Sequence, residues 1–336
     1  MARPIDEFVA AWEALSGRDG GAGGWLGIPV APSGTCRILA ARKFPGNEEA
    51  LLVCFPSATL PASEKLPDGR GFEVARADPS GDGKTWLALS RKESGNPELF
   101  AEMAGDVAGA MDAEAGRGEL HALKALLRRV RMWQQFMGRD GQPLGPEAEL
   151  GLMGELTFLT ALLDEGVSEE AALEGWVGPD DAPQDFILGD GAVEAKATLS
   201  TSGFPVRIGS LEQLDDSVLS PLFLAAARFS RAESGESLPE AVERLAGRFA
   251  PETGASALFR ERVFAAGFLD AHASRYTRRF LIEETRCFLV AEGFPRITPG
   301  SVPEGVGKAQ YEIDLNRASA HGVGLTQALE KLGVLK

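Results

Sequence analysis

Residues 183–196, Pro-Gln-Asp-Phe-Ile-Leu-Gly-Asp-Gly-Ala-Val-Glu-Ala-Lys, restrict what this chain can fold into more than any other stretch. Two short β-forming runs flank a Gly-Asp-Gly turn signal. Gly189 can take the positive φ that the first position of a tight hairpin turn demands. With Gly189-Asp190 as the loop, Leu188 faces Gly191, Ile187 faces Ala192, Phe186 faces Val193 and Asp185 faces Glu194. Directly opposed residues have Cβ atoms about 4.5–5.5 Å apart, and the period of two puts Lys196 on the face of Glu194. One face of the hairpin then carries Asp, Glu and Lys.

Two carboxylates that close repel each other unless a proton or a cation lies between them, and oxygen ligands suit a hard cation such as Mg2+. An ammonium group beside such an ion could orient a water or stabilise charge growing on a phosphate. A three-residue loop would put Asp185 and Glu194 on opposite faces and end the argument. An exposed hairpin edge of mixed charge would also present these residues, so the rest of the chain has to discriminate.

Upstream, Pro146 is suited to the first turn of a helix, and 150–163 is strongly apolar with Leu152, Glu155, Leu156, Leu159 and Leu163 on one stripe. Glu155 therefore falls on the buried face, where a carboxylate is costly unless paired with an Arg or Lys, protonated or bound to metal. Downstream, 200–203 reads as a polar turn, 204–209 as a third strand, 210–214 as a short helix capped by Ser210 and carrying Gln213, and 217–227 as a buried fourth strand.

The flanking regions have simpler patterns. A helix is expected over 3–17, followed by strands at 35–42, 50–55, 71–77 and 85–91, separated by Pro, Gly and Asp as in a small antiparallel sheet. Helical periodicity over 120–137 carries Arg128, Arg129 and Arg131, which read either as a solvated face or as phosphate contacts. Arg207, Arg278 and Arg279 have the same two readings. Segment 230–237 is polar. Helices are expected at 238–249, 255–269 and 325–332, and strands at 280–292 and 310–315.

Several chemistries find no support. The three cysteines are far apart and form no C-x-x-C pair, and the three histidines form no H-E-x-x-H. No G-x-S-x-G nucleophile motif occurs. The loop 79–85 lacks the first glycine of a phosphate-binding loop, since Asp78 stands there, and strand-like residues follow it. Carboxylates and lysine must carry any reaction. The net charge of −15 argues against a protein that coats nucleic acid nonspecifically, because such binding relies on neutralising phosphate. The first twenty residues hold Asp6, Glu7 and Glu13 and no apolar run, and nowhere do eighteen apolar residues follow one another, so a cytoplasmic protein with no membrane association is expected.

The ordered set Trp133…Phe136, Gly151-Leu152-Met153-Gly154-Glu155-Leu156, Trp176-Val177-Gly178-Pro179, Gln184-Asp185-Phe186, Val193-Glu194-Ala195-Lys196, Leu211-Glu212-Gln213-Leu214 and Tyr311-Glu312-Ile313-Asp314-Leu315 resembles the PD-(D/E)XK nuclease superfamily. It is most similar to a bacterial family of "PD-(D/E)XK motif" proteins of restriction and phage-defence clusters. The resemblance implies an α/β fold: a restriction-endonuclease-like core over 96–336, with a mixed central sheet flanked by helices, preceded by an antiparallel β-containing region over 1–95.

Carried over residue by residue, the resemblance makes Asp185 and Glu194 metal ligands, Glu155 the helix carboxylate that completes the metal environment, Lys196 the catalytic lysine and Gln213 an active-site residue. It implies Mg2+ or Mn2+ as cofactor, DNA as substrate, and hydrolysis by a Mg2+-dependent endodeoxyribonuclease with a defence-cluster ATPase and DNA methyltransferase as partners. A homodimer would allow double-strand cleavage through two-fold symmetry. The alternative is a non-catalytic DNA-binding or scaffold subunit of a defence complex that keeps the nuclease fold. One departure stands out: Gln184 separates the Pro and Asp that the motif's name joins.

Overall fold

The computed structural model describes residues 3–18, 24–138, 142–180, 182–249 and 254–335. The chain divides into two compact units, Met1–Gln142 and Pro143–Lys336, whereas the sequence alone points to a division at 95.

The first unit is built on a five-stranded antiparallel sheet of β1 (Gly24–Ser33), β2 (Cys36–Phe44), β3 (Glu48–Phe55), β4 (Phe72–Ala77) and β5 (Thr85–Arg91), in the order β1-β2-β3-β5-β4. β3 is apolar and buried from Ala50 to Phe55, as a central strand covered on both faces must be. β1 was not legible in the sequence, because Pro29 and Pro32 argue against a strand. At the sheet edge, proline costs no ladder hydrogen bond on its outer side. α1 (Asp6–Leu15), α2 (Pro97–Glu114) and α3 (Glu119–Gly138) complete the unit. Asn96 caps α2 by accepting the Leu99 N–H at 3.1 Å, and Trp12 Nε1 ties α1 to β3 through the Ala50 carbonyl at 3.0 Å.

The second unit contains α4 (Pro146–Asp164), α5 (Glu169–Gly175), β6 (Phe186–Leu188), β7 (Gly191–Thr198), β8 (Pro205–Ile208), β9 (Leu222–Ser237), α6 (Leu238–Ala246), α7 (Ala255–Ala265), β10 (Arg279–Val290), β11 (Tyr311–Asp314), β12 (Gly322–Val323) and α8 (Leu325–Lys331). Its main sheet has the order β12-β10-β9-β7-β6. β7 and β9 run parallel and the other neighbours antiparallel, so the sheet is mixed and the fold is α/β, in keeping with a nuclease-like core.

Three local expectations change. The strand near 204–209 forms, but it pairs with β11 in a separate two-stranded ladder outside the main sheet. Residues 210–214 make turns rather than a helix: Leu211 and Leu214 are buried, but five residues are too few to offset the cost of helix nucleation. β9 starts only at Leu222 and continues through the polar segment to Ser237. Beyond Arg228 it pairs with β10 alone, and a two-stranded arm can show polar side chains to water.

The hairpin has the register expected from its turn: Phe186 pairs with Val193, Ile187 with Ala192 and Leu188 with Gly191. Gly189 sits at φ +54°, and a Cβ there would lie 1.8 Å from the Leu332 carbonyl oxygen, so both conformation and space demand glycine. Along β7, Val193 and Ala195 point into the core formed with α4 to α8, while Ala192 joins the opposite core with Phe204, Val206 and Ile208. The period of two sends Glu194 and Lys196 to the side of Ala192.

Candidate active site

Glu194 has no solvent-exposed surface. Its Oε1 lies 2.6 Å from Lys196 Nζ, but neither carboxylate oxygen receives a hydrogen bond of acceptable geometry. Burial pushes its pKa well above 4.5, the Asp185 and Glu155 charges push the same way, and Lys196 opposes them. A carboxylate so placed, with one ammonium set against two neighbouring carboxyls, favours a further proton or cation.

Asp185 stands at the entrance to β6 and is fixed at both ends. Its carbonyl oxygen accepts the N–H groups of Val177 and Gly178, each at 2.9 Å, and its Oδ2 accepts the Ala195 N–H at 2.8 Å. The Ala195 bond takes the place of a ladder contact just before β6 begins. Burial raises the Asp185 pKa against the lowering effects of Lys196 and the Ala195 N–H.

Glu155 comes from α4. Its Oε2 accepts the Trp176 indole N–H at 2.7 Å. The side chain keeps some exposed surface, yet its carboxyl is enclosed by protein, and burial reinforced by Asp185 pushes the pKa up to about 8. Gly154, next to it, brings α4 close to β7: a Cβ there would lie 2.9 Å from Ala197 Cβ.

Burial alone would lower the Lys196 pKa, but Glu194, Asp185 and Glu155 together raise it, so the lysine is charged. Its ammonium donates to Gln213 Oε1 at 3.2 Å, and the same oxygen accepts the Gly209 N–H at 2.7 Å. Glu155, Asp185, Glu194, Lys196 and Gln213, named from the sequence, are thus gathered in one place.

Most of the arginines named with them are engaged by partners of their own. Arg129 forks onto Asp106 at 2.5 and 2.6 Å, Arg131 bonds Glu64 at 2.5 Å, and Arg128 is exposed on α3, all in the first unit. In the second unit Arg207 bonds Gln310 at 2.7 Å and Glu147 at 3.4 Å, and Arg279 bonds Glu240 and the carbonyls of Glu233 and Gly235. Arg278 pairs with Glu149, a carboxylate with no exposed surface.

Three further residues matter to the site. Trp176 enters the sequence reading only within the motif Trp176-Val177-Gly178-Pro179 and with no part in the site; a buried indole N–H usually finds an acceptor, and here that acceptor is Glu155. Gly178 lies against Asp185 and Glu155. Gln184, the departure from the motif, is buried and its Nε2 donates to the Glu212 carbonyl at 2.8 Å, tying β6 to the turn that carries Gln213. A literal Pro-Asp pair does occur at Pro179-Asp180, but Asp180 is half exposed and paired with Arg262. Asp185 is the aspartate that faces Lys196.

Among the described residues no group of three or more His, Cys, Asp or Glu side chains converges into a ready-made metal cage. The donor chemistry nevertheless fits a hard cation: three carboxyls, with Asp185 and Glu155 both acting on Glu194, whose buried carboxylate has the Lys196 ammonium as countercharge. Among the described residues no helix is long and apolar enough to cross a membrane.

No curated protein and no solved structure matches the chain. A family model described as "Putative PD-(D/E)XK family member (DUF4420)" matches residues 8–316, nearly the whole length, and the chain belongs to that family.

Proposed function

We propose that this protein is a divalent-metal-dependent nuclease that hydrolyses phosphodiester bonds in DNA. The observation that carries the reading is Glu194, a wholly buried carboxylate that meets the Lys196 ammonium at 2.6 Å and feels the charges of Asp185 and Glu155. Asp185, Glu194 and Glu155 would hold Mg2+ or Mn2+. Such an ion, when bound, lowers the pKa of a water and offsets charge on a phosphate oxygen. Lys196 contributes a fixed positive charge for the transition state, and Gln213 holds that ammonium in place through its amide oxygen. DNA as the substrate rests on the family's likeness to restriction nucleases.

Mn2+ titrated calorimetrically into wild type and into Asp185→Asn tests the reading, followed by cleavage of supercoiled DNA. The amide oxygen introduced by Asp185→Asn can still accept the Ala195 N–H, so the fold should survive. Binding in wild type that is lost in the variant, with cleavage dependent on the same ion, is the expected result. A wild type that binds no divalent ion and cuts no DNA would sink the reading.

The alternative, a non-catalytic subunit that uses the nuclease fold to bind DNA or a defence-complex partner, is favoured by the net charge of −15 and by the acidic partners of Arg129, Arg131, Arg207, Arg278 and Arg279. Mobility-shift assays without metal distinguish the two, since a scaffold retains DNA that it does not cut.

A further inference from the structure

The segment between α5 and β6 lies against the carboxyl cluster, and three successive residues act on it. Trp176 is fully buried between Phe186 and Phe259 and gives its indole N–H to Glu155. Val177 and Gly178 both give their backbone N–H groups to the Asp185 carbonyl. A flexible glutamate and a strand-end aspartate, from elements far apart in sequence, are thereby held by one short turn.

Gly178 adds a steric condition. It does not occupy the left-handed region, so its backbone would accept another residue. Space is what excludes one: a Cβ at this position would lie 2.8 Å from Asp185 Oδ1 and 3.2 Å from Glu155 Oε2. Two carboxylate oxygens therefore pack against the bare Cα of residue 178, and a side chain there would press on both.

We propose that 176–178 is the positioning element of this site and that Gly178 sets the size of cation that Asp185 and Glu155 can share. The proposal rests on the metal-dependent reading above. Ca2+ takes six to eight oxygens at about 2.3–2.6 Å, whereas Mg2+ takes six at about 2.0–2.1 Å and keeps several waters. A methyl group pressing on both oxygens narrows the span that they can offer, which hinders the larger shell more. The indole N–H acts differently: it occupies one lone pair of Glu155 Oε2 and fixes the direction of the other oxygen, as outer-shell partners of metal ligands do.

Calorimetric titration of the full chain with Mg2+ and with Ca2+, in wild type, Gly178→Ala, Trp176→Phe and Asp185→Asn, tests this. Gly178→Ala should weaken Ca2+ binding about tenfold more than Mg2+ binding, while Trp176→Phe, which keeps a ring in the core but no N–H, should weaken both by about tenfold. A purely structural role would leave the Ca2+ to Mg2+ ratio unchanged. That unchanged ratio, or wild-type affinities in Trp176→Phe, overturns the proposal. Should Gly178→Ala fail to fold by circular dichroism, Trp176→Phe decides alone. A wild type silent to both ions overturns the metal reading itself, and is told apart because it fails with the turn intact.

Discussion

Lys196 Nζ lies 2.6 Å from Glu194 Oε1, and the carboxylate it meets is entirely out of water. Removing the cation leaves Glu194 with a burial cost that its raised pKa lets it relieve by taking up a proton. Lys196→Met should therefore fold, with a loss of melting temperature that is larger at pH 8 than at pH 6. Cleavage should fall on the order of a hundredfold to a thousandfold, the usual scale for losing one preorganised charge at a reacting phosphate. Full activity in the variant would remove Lys196 from the mechanism.

Metal-free protein should lose stability as pH rises. Glu155 has an ordinary carboxyl pKa of 4.5 when unfolded and about 8 when folded. Between those values the folded chain keeps a proton that the unfolded chain has released, so each rise in pH favours unfolding. Lys196, with a folded pKa raised above 10.5, contributes evenly across this window and is lost only at higher pH. The decline for one such carboxyl is on the order of a few kcal/mol. Thermal melts in EDTA should show it, Glu155→Gln should make it shallower while Glu194 and Asp185, whose folded pKa values are also raised, keep the remainder, and added Mg2+ should flatten it. A level profile in EDTA would mean that the carboxyl is not held as its neutral acid.

Arg278→Met should destabilise the second unit by about 2–4 kcal/mol, because it strands the buried Glu149 beside only the more distant Arg231. The double variant Glu149→Met/Arg278→Met should regain most of that loss in urea titrations. If instead the single variant melts like wild type and only the salt dependence of DNA binding changes, Arg278 serves as a phosphate contact rather than as the partner of Glu149.

Gly189→Ala should cost about 1–3 kcal/mol from its left-handed backbone alone, and more from the approach of the Leu332 carbonyl. Gly166→Ala, also at positive φ but with open space around it, isolates the backbone part. Comparing their melts measures how much the docking of 332–334 contributes to holding the hairpin.

The hairpin was legible in the sequence because a two-residue turn and a period of two leave one register, and Asp185, Glu194 and Lys196 follow from it. Glu155 was legible as a charge on an apolar stripe. What could not be read depends on partners distant in sequence. Val206 and Ile208 alternate as any strand does, and nothing local tells that their neighbour is β11 instead of β7. The polar run 230–237 looks like a loop until β10 lies alongside it. Asp180, in the literal Pro179-Asp180 pair, is paired with Arg262, whereas Asp185 accepts the Ala195 N–H inside the site.

The parallel pairing of β7 with β9 has a kinetic consequence. The β6–β7 hairpin closes through two residues, an event of microseconds, whereas β9 reaches β7 only after the intervening 199–221 segment has found its place. Glu194 and Lys196 should remain in water until that pairing forms. The desolvation of the charged cluster is thus deferred to a late, long-range step of folding, and the rate of that step, rather than of hairpin formation, is the one that should respond to pH.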